Sequence, residues 1–364
     1  VRSFNIRRCQ EKMTKDTLVS VIIANWNGIQ YLEKCLSSVR HQTHPAIETI
    51  VVDNGSCDGS IEFIENNFPE IRIIKNRKNL GFTGANNIGI KASNGAYIAT
   101  LNNDTVAEPD WIKNLIQSAI KRKNAGMFAS KILSYGKVNL IESVGMSIYP
   151  DGLARCRGYL KENKERYNQE EEVLLPSACA ALYRKEPLMA AGLFDEDYFA
   201  YSEDTDLGLR IRMLGFSCVY VPDARVYHYY SGTARFDLLR KVYLAERNRL
   251  WTIIKTFPIS QLILSPLYTL MRYFFYIYAA ILQINPAREF CKKGSAIKIL
   301  FILSKVYVST MLHLTGLIKK RLEIMRNKKV KNKEIIGWIK KYRIGLKEVA
   351  VYPGQAEDRE DPFT

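Results

Sequence analysis

From Leu18 onward, short β-branched runs alternate with stretches whose apolar residues recur at helical spacing. LVSVIIAN (Leu18 to Asn25) is short, rich in valine and isoleucine and closed by polar residues, which predicts a buried strand. YLEKCLSSVRHQ follows and places Leu32, Cys35, Leu36 and Val39 on one helical face. IETIVVDNGS reads as a second strand, SIEFIENNF as a short helix, IRIIKN as a third strand, GANNIGIKAS as a helix after a glycine turn, and AYIATLNND as a fourth strand. This rhythm predicts a parallel sheet with crossover helices. Ligands of such sheets collect at the carboxyl ends of the strands.

All four strands end in polar residues: Asn25-Trp26-Asn27, Asp53-Asn54, Asn76 followed by Asn79, and Asn102-Asn103-Asp104. A core does not hold an unpaired carboxylate, so the fourth strand must surface at Asp104. Polar ends on four neighbouring strands mark a binding rim.

Beyond this the pattern loosens. From Lys131 to Tyr201 it is irregular, and KENKERYNQEEE reads as a solvated loop. DLGLRIRMLGF predicts a helix with Leu207, Ile211 and Leu214 on one face and Gly215 ending it. SCVYVPDARVYHYY is extended, with Pro222 bending it. Trp251 to Ile284 is apolar and aromatic, interrupted by Lys255, Pro258, Pro266 and Arg272. A spanning helix needs about 20 uninterrupted apolar residues, and Arg272 is a liability to any span over Ser260 to Ile284. The expectation is broken helices in the membrane interface with tyrosines at headgroup level. A buried helical hairpin packed on the main domain is the alternative. The divisions are a disordered lead-in at 1–16, an α/β domain at 17–250, an apolar then basic helical region at 251–350 and a disordered tail at 351–364.

Composition changes this picture in two places. The formal net charge is +16, with 53 lysines and arginines against 37 acids, and such an excess asks for an anionic partner. Much of it lies in KKRLEIMRNKKVKNKEIIGWIKKYR, next to the apolar stretch, which suits anionic lipid. A nucleic-acid binder would spread its basic residues around an aromatic groove, whereas here the rim is acidic. The seven cysteines, Cys9, Cys35, Cys57, Cys156, Cys179, Cys218 and Cys291, form no CxxC pair. Neither a disulfide framework nor a zinc site is expected, and a reducing compartment fits. The basic, polar N-terminal stretch has no apolar h-region and does not read as a secretory signal.

The candidate chemistry sits on the rim. Asp104, at a strand end, suits Mg²⁺ or Mn²⁺, which take carboxylates together with substrate phosphates. His228 is a second candidate ligand. Asp53 can accept from a pyrimidine imide or a ribose hydroxyl, or close an Asx-turn onto Gly55. NLGFTGANNIGI offers Gly81 and Gly84 for close backbone approach, with Asn86 and Asn87 at a helix start suited to phosphate. GLFDEDYFAYSEDTDLGLR concentrates six acids among four aromatics. Glu203 or Asp204 would cap the following helix, and a carboxylate there can take a proton from a hydroxyl. Phe199 and Tyr201 offer faces for a sugar ring.

The set VSVIIANWNG, VVDNGSCDGS, NLGFTGANNIGI, LNNDTVAEPDW, GLFDEDYFAYSEDTDLGLRIRMLGF and VYHYYSGT, in this order, resembles family 2 glycosyltransferases of the rhamnosyltransferase-like branch, over roughly Leu18 to Leu250. The resemblance implies a GT-A fold: an α/β, Rossmann-like, mixed and mainly parallel sheet flanked by helices, here with a C-terminal helical membrane-associated extension. It implies inverting, metal-dependent transfer from a UDP- or dTDP-sugar to a lipid-linked or polysaccharide acceptor, with Mg²⁺ or Mn²⁺ as cofactor. Carried over residue by residue, Asp53 binds the base. Asn25, Asn27, Asn79, Gly81, Asn86, Asn87 and Asn103 line the donor pocket. Asp104 and His228 hold the metal, Asp204 is the base with Glu203 supporting it, and Tyr201 and Phe199 meet the acceptor. The sequence departs from the family at Asn102, where many members carry a carboxylate. The implied location is the cytoplasmic face of the membrane, peripheral. A non-catalytic nucleotide-binding membrane scaffold is the alternative. A nucleotidyltransferase would show a basic glycine-rich loop after the first strand, and ANWNGIQ has neither lysine nor arginine.

Overall fold

The computed structural model describes residues 17–229, 238–281 and 296–351. The expected lead-in and nearly all of the tail, the end of the VYHYYSGT motif, residues 282–284 of the apolar window, and Cys9 and Cys291 lie outside them. The described residues form two compact units. The first runs to Met146 and resumes from Cys156 to residue 229. The second comprises Ser147–Arg155 and the described residues from 238 onward. The division therefore falls before residue 250, and a short hairpin from the middle of the chain belongs with the C-terminal helices.

In the first unit β1 (Val19–Asn25), α1 (Ile29–Arg40), β2 (Ile47–Asp53), α2 (Ser60–Asn67), β3 (Arg72–Lys75), α3 (Gly81–Ala92) and β4 (Tyr97–Asn102) follow the predicted alternation. β3, β2, β1 and β4 lie side by side in that order and are parallel throughout. Beyond them come β5 (Thr105–Ala107), α4 (Trp111–Lys121), β6 (Ala125–Ser134), β7 (Lys137–Ser143), then β8 (Met146–Ile148) and β9 (Ala154–Cys156), which form a separate two-stranded sheet lying mostly in the second unit, and after them β10 (Glu171–Val173), β11 (Ala180–Arg184), α5 (Lys185–Ala190), α6 (Glu203–Met213) and β12 (Ser217–His228). The full sheet runs β10-β12-β6-β11-β4-β1-β2-β3, with β5 on β12 and β7 on β6. β11 is antiparallel to both of its neighbours, β4 and β6, while β12 and β6 are parallel.

The middle region is thus richer in strands than its sequence pattern predicts. β6 is buried at every position, so it shows no two-residue alternation to read. β10 and β11 are short and paired to strands distant in sequence, and β7 folds back on β6 with an irregular register. Pro222 marks the expected irregularity: the register of β12 against β6 shifts between Val221 and Arg225.

The core lies on both faces of the sheet. α1 contributes Leu32, Cys35, Leu36 and Val39 to one face, as its periodicity predicts, and α4 adds Trp111, Ile112, Leu115 and Ile116. The other face carries Ile22, Val52 and Ala129 together with Leu207 and Ile211 of α6. α6 is buried nearly all round rather than on one stripe, and Leu214 lies just past its end. Its two arginines bond into backbone carbonyls, Arg210 to those of Ala191 and Leu193 and Arg212 to those of Val173 and Leu174. Arg210 also pairs with Asp206 at 2.7 Å, so the buried charges are satisfied.

The second unit is helical: α7 (Leu238–Thr256), α8 (Ile259–Ile281), α9 (Ala296–Leu312), α10 (Leu314–Asn327), α11 (Asn332–Lys341) and α12 (Leu346–Val351). α7 packs against α9 and α10, and α8 against α12. Trp251 Nε1 donates to Thr310 Oγ1 at 3.1 Å and Arg321 to the Ile254 carbonyl at 2.6 Å. Among the described residues no single helix is long and apolar enough to cross a membrane. One pair, Phe301–Leu312 with Leu314–Asn327, passes on length and composition but is bent by 65°.

Candidate active site

Strand register builds the rim. Asn25 lies opposite Asp53 on β2, and Ala24 opposite Asn102 on β4, so three strands end level. Asn25 Nδ2 donates to Asp53 Oδ2 at 3.0 Å, and Asn103 Nδ2 donates to Asn25 Oδ1 at 2.7 Å. All three are buried. The other oxygen of Asp53 accepts from the N–H groups of Gly55 and Ser56 at 3.1 and 2.8 Å. The Asx-turn and the cross-strand bond therefore use different oxygens of one carboxylate. Asn27, at φ 49°, donates its N–H to Ser56 Oγ, and its side-chain oxygen accepts from the Cys57 N–H. The structure thus brings Asn25, Asn27, Asp53 and Asn103 into one network.

Asn79, Gly81, Asn86 and Asn87 group at α3. Asn79 Oδ1 accepts from the Gly81 N–H at 2.8 Å, and Asn86 Nδ2 bonds back to the Phe82 carbonyl. Asn87 pairs in both directions with the Phe194 backbone, at 2.8 and 3.0 Å, and donates to Glu196 at 3.0 Å. With its amide committed in this way, Asn87 anchors the acidic loop. Gly81 adopts φ +75°, and a Cβ there would collide with the Phe199 carbonyl oxygen.

That loop is strained where it reaches α6. Phe199, Tyr201 and Ser202 all have positive φ, at 64°, 70° and 62°, a conformation that non-glycine residues hold only where the surroundings over-determine it. Glu203 and Asp204 follow at once. The expectation that one of them caps the helix is not met: Ser202 occupies the cap with no side-chain bond, and both acids lie in the first helical turn. There the unpaired backbone N–H groups favour negative charge. Asp204 accepts from the N–H groups of Thr205 at 2.7 Å and Ala178 at 3.5 Å. Glu203 is 8% exposed, and its Oε2 has no hydrogen-bond partner. Burial and the adjacent Asp204 carboxylate push Glu203 up to about 8. Burial also raises Asp204. Both carboxyls are thereby held more strongly protonated than in water, which suits a group that takes a proton from a hydroxyl.

On the other side of the rim, pairing of His228 with Thr105 sets β12 beside the Asp104 turn. His228 Nε2 lies 3.1 Å from Asp104 Oδ1, and His228 Nδ1 lies 2.7 Å from Glu142 Oε1 on β7. All three side chains are buried. Burial works against a charge on His228, but the adjacent Glu142 and Asp104 carboxylates outweigh it and hold the imidazole well above its usual range.

The 3.1 Å contact between His228 Nε2 and Asp104 is a hydrogen bond that a divalent ion would replace, with the imidazole giving up its proton on that nitrogen. A carboxylate on the far nitrogen is the usual support of a ligating histidine. Asp104 and His228 therefore fit a divalent ion that draws its remaining ligands from substrate and water. Among the described residues no group of three or more such side chains is placed to hold one alone.

The segment before β11 joins the two halves. Ala178 touches Asp204, and the next residue, Cys179, contacts His228 and accepts the Asn102 N–H at its carbonyl. Burial pushes the Cys179 thiol up to about 11, so it stays protonated. Glu142, Cys179 and the rim cluster of Tyr135, Tyr229 and Lys34 are absent from the sequence expectations. The two tyrosines stack at 3.8 Å, and Lys34 donates to Tyr229 at 3.1 Å and Tyr135 at 3.4 Å. Glu142 and Tyr135 fall in the region without readable periodicity, and Lys34 reads as a solvated helix residue. The one available signal was YHYY, which places aromatics beside His228.

Residues 20–191 match the family described as glycosyl transferase family 2. An uncharacterized glycosyltransferase of Haemophilus influenzae is 29% identical over 243 residues, covering 64% of this chain and 70% of its own. N-acetylglucosaminyl-diphospho-decaprenol L-rhamnosyltransferase of Mycobacterium tuberculosis is 25% identical over 273 residues, covering 64% and 86%. Among solved structures, GalNAc-T7 with UDP, GalNAc and Mn²⁺ superimposes with TM-score 0.54 at 16% identity, over 80% of this chain and 54% of that one. Residues 1–349 of S. aureus TarS give TM-score 0.50 at 15% identity, over 85% and 89%. These two share the GT-A fold of the present sheet and its flanking helices. Residues 20–191 are therefore a glycosyl transferase family 2 domain.

Proposed function

We infer that the chain is an inverting glycosyltransferase that moves a sugar from a nucleotide-diphosphate donor, UDP- or dTDP-linked, to a hydroxyl of a lipid-linked or polysaccharide acceptor. The supporting observation is the Ala178–Cys179 junction. It holds a carboxylate pair of raised pKa on one side and the Asp104–His228 pair on the other. Chemistry that needs a base facing a diphosphate needs both ends in one rigid frame.

In this reading the Asn25–Asp53–Asn103 network shapes the nucleoside end of the donor pocket. Asp104 and His228 would hold Mg²⁺ or Mn²⁺, which would supply charge neutralisation for the departing diphosphate. Asp204 takes the proton from the acceptor hydroxyl. The freed oxygen attacks the anomeric carbon from the face opposite the diphosphate, the bond to the diphosphate oxygen breaks, and the configuration inverts. Glu203 holds a proton beside Asp204 and tunes it. Phe199 and Tyr201 present aromatic faces to the acceptor sugar. The rhamnosyltransferase relative favours a deoxysugar donor and a lipid-diphosphate acceptor.

Calorimetry with UDP and dTDP, each with and without Mn²⁺, tests this on wild type, Asp104→Ala and Glu142→Gln. The expected result is Mn²⁺-dependent binding of one nucleotide, abolished in Asp104→Ala and weakened roughly 10- to 100-fold in Glu142→Gln through loss of the histidine's support. Folded wild-type protein that binds neither nucleotide under any condition overturns the reading.

A further inference from the structure

The two units treat apolar side chains differently. Among the described residues seventeen large apolar side chains are exposed, and fifteen of them lie between Ile259 and Leu322, in the helical unit. On α8 they are ordered. Ile263, Leu267, Leu270, Phe274 and Ile277 recur every three or four positions, and each is more than half exposed. That spacing makes one continuous stripe along the helix.

The opposite face of α8 is fixed by charge. Arg272 is 1% exposed; it donates to Asp151 at 2.7 Å and to Glu246 at 2.8 and 3.0 Å. Arg249 also bonds Glu246, at 2.9 Å. A helix built for water turns its leucines inward and leaves its arginine outside. Here the buried ion network sets the rotation of α8, the arginine goes in, and the apolar stripe faces out. Leaving such a stripe in water is unfavourable unless something covers it.

Charge identifies the cover. From Leu314 to Lys341, α10, α11 and the link between them carry ten lysines and arginines against two glutamates, half of the net charge of the whole chain in fewer than a tenth of its residues. Pro266 and Arg272 interrupt α8, and among the described residues no single helix meets the requirements of a span. A stripe of leucine, isoleucine and phenylalanine on a helix with a buried arginine on its opposite face, with a dense cationic run in the same unit, has the chemistry of a surface-lying amphipathic anchor.

We propose that the helical unit docks on an anionic lipid surface, with the α8 stripe laid among the outer acyl chains and the lysines of α10 and α11 on the headgroups. The proposal stands on α8 and the charge run and does not depend on the transferase reading. Sedimentation of the full chain tests it, with vesicles of phosphatidylglycerol and phosphatidylethanolamine set against phosphatidylcholine alone. The variants are Leu270→Glu/Phe274→Glu, Lys319→Gln/Lys329→Gln/Lys333→Gln, and Met189→Glu as a control on an exposed apolar residue of the other unit. The expected result is binding to the anionic vesicles that weakens at least tenfold in the stripe variant. The lysine variant loses its preference for phosphatidylglycerol, and the control matches wild type. Circular dichroism and thermal melting check that each variant is folded, and Ile263→Ser/Ile277→Ser repeats the test if the first stripe variant loses helix. Wild-type protein that ignores anionic vesicles at low salt overturns the proposal, as does a folded stripe variant that binds like wild type. A stripe variant that only converts an oligomer to a monomer reassigns the face to contact between copies and also overturns it.

Discussion

At the scale of the residue, the site is governed by what burial does to carboxylates. Glu203 is buried with one oxygen that has no partner, and it is pushed up to about 8. The sign follows from where each state ionises. An unfolded Glu203 loses its proton near 4.5 and the folded one near 8, so unfolding releases a proton anywhere between. Stability is then full below 4.5 and falls as pH rises toward 8, by an amount on the order of a few kcal/mol. Glu203→Gln should remove this slope. Melting temperatures of both proteins from pH 5 to 8 should converge at the acid end and separate at the alkaline end, with the glutamine variant higher. Parallel curves would show that Glu203 ionises normally. The sequence marked Glu203 and Asp204 as the reactive pair, but it also offered them as helix caps, and only the backbone at Ser202 decided against that.

At the scale of the element, close approach between α3 and the loop before α6 does the positioning. Gly81 accepts the Phe199 carbonyl against its Cα, Thr83 donates its N–H to that carbonyl, and Asn87 clamps Phe194. These bonds hold the strained Phe199–Ser202 turn in place. Gly81→Ala adds a Cβ at φ +75° against backbone and should cost roughly 1–3 kcal/mol. Turnover should fall more than stability, because the displaced loop carries Glu203 and Asp204. Comparing denaturant midpoints with initial rates separates the two effects, and an alanine variant with normal rates would deny the loop its positioning role. The glycine and asparagines were legible in NLGFTGANNIGI, but their job was not. The sequence reading aimed them at the donor, whereas Asn86 and Asn87 bond within the protein, the first to its own helix and the second to a loop 107 residues away.

At the scale of the whole molecule, two units use charge in different ways. In the sheet unit, buried arginines of α6 bond into carbonyls and tie neighbouring segments together. In the helical unit Arg272 gathers Asp151 and Glu246, and its positive charge, together with Arg249, holds Glu246 far below the usual carboxylate range against the opposing effect of burial. Arg272→Met keeps most of the volume but strands two buried carboxylates, a loss of about 3–5 kcal/mol. The expected result is a lower melting temperature, read as loss of helical circular dichroism. A variant as stable as wild type would show that Asp151 and Glu246 are satisfied without the arginine. In the sequence Arg272 read as an obstacle to a membrane span; its partners lie 26 and 121 residues away, beyond any local pattern.

The sequence by itself determined the β1-to-β4 alternation, the buried face of α1, the polar strand ends and the family of the domain at residues 20–191, because each is written in periodicity or in an ordered set of local motifs. It also determined Asp104, His228, Glu203 and Asp204 as candidates. Tertiary structure alone decided that Glu142 supports His228, that Ala178 and Cys179 link the two halves of the rim, and that α8 turns its apolar face outward. These depend on short antiparallel strands and on ion pairs between distant segments, whose partners are chosen by strand register and burial rather than by neighbours in the chain.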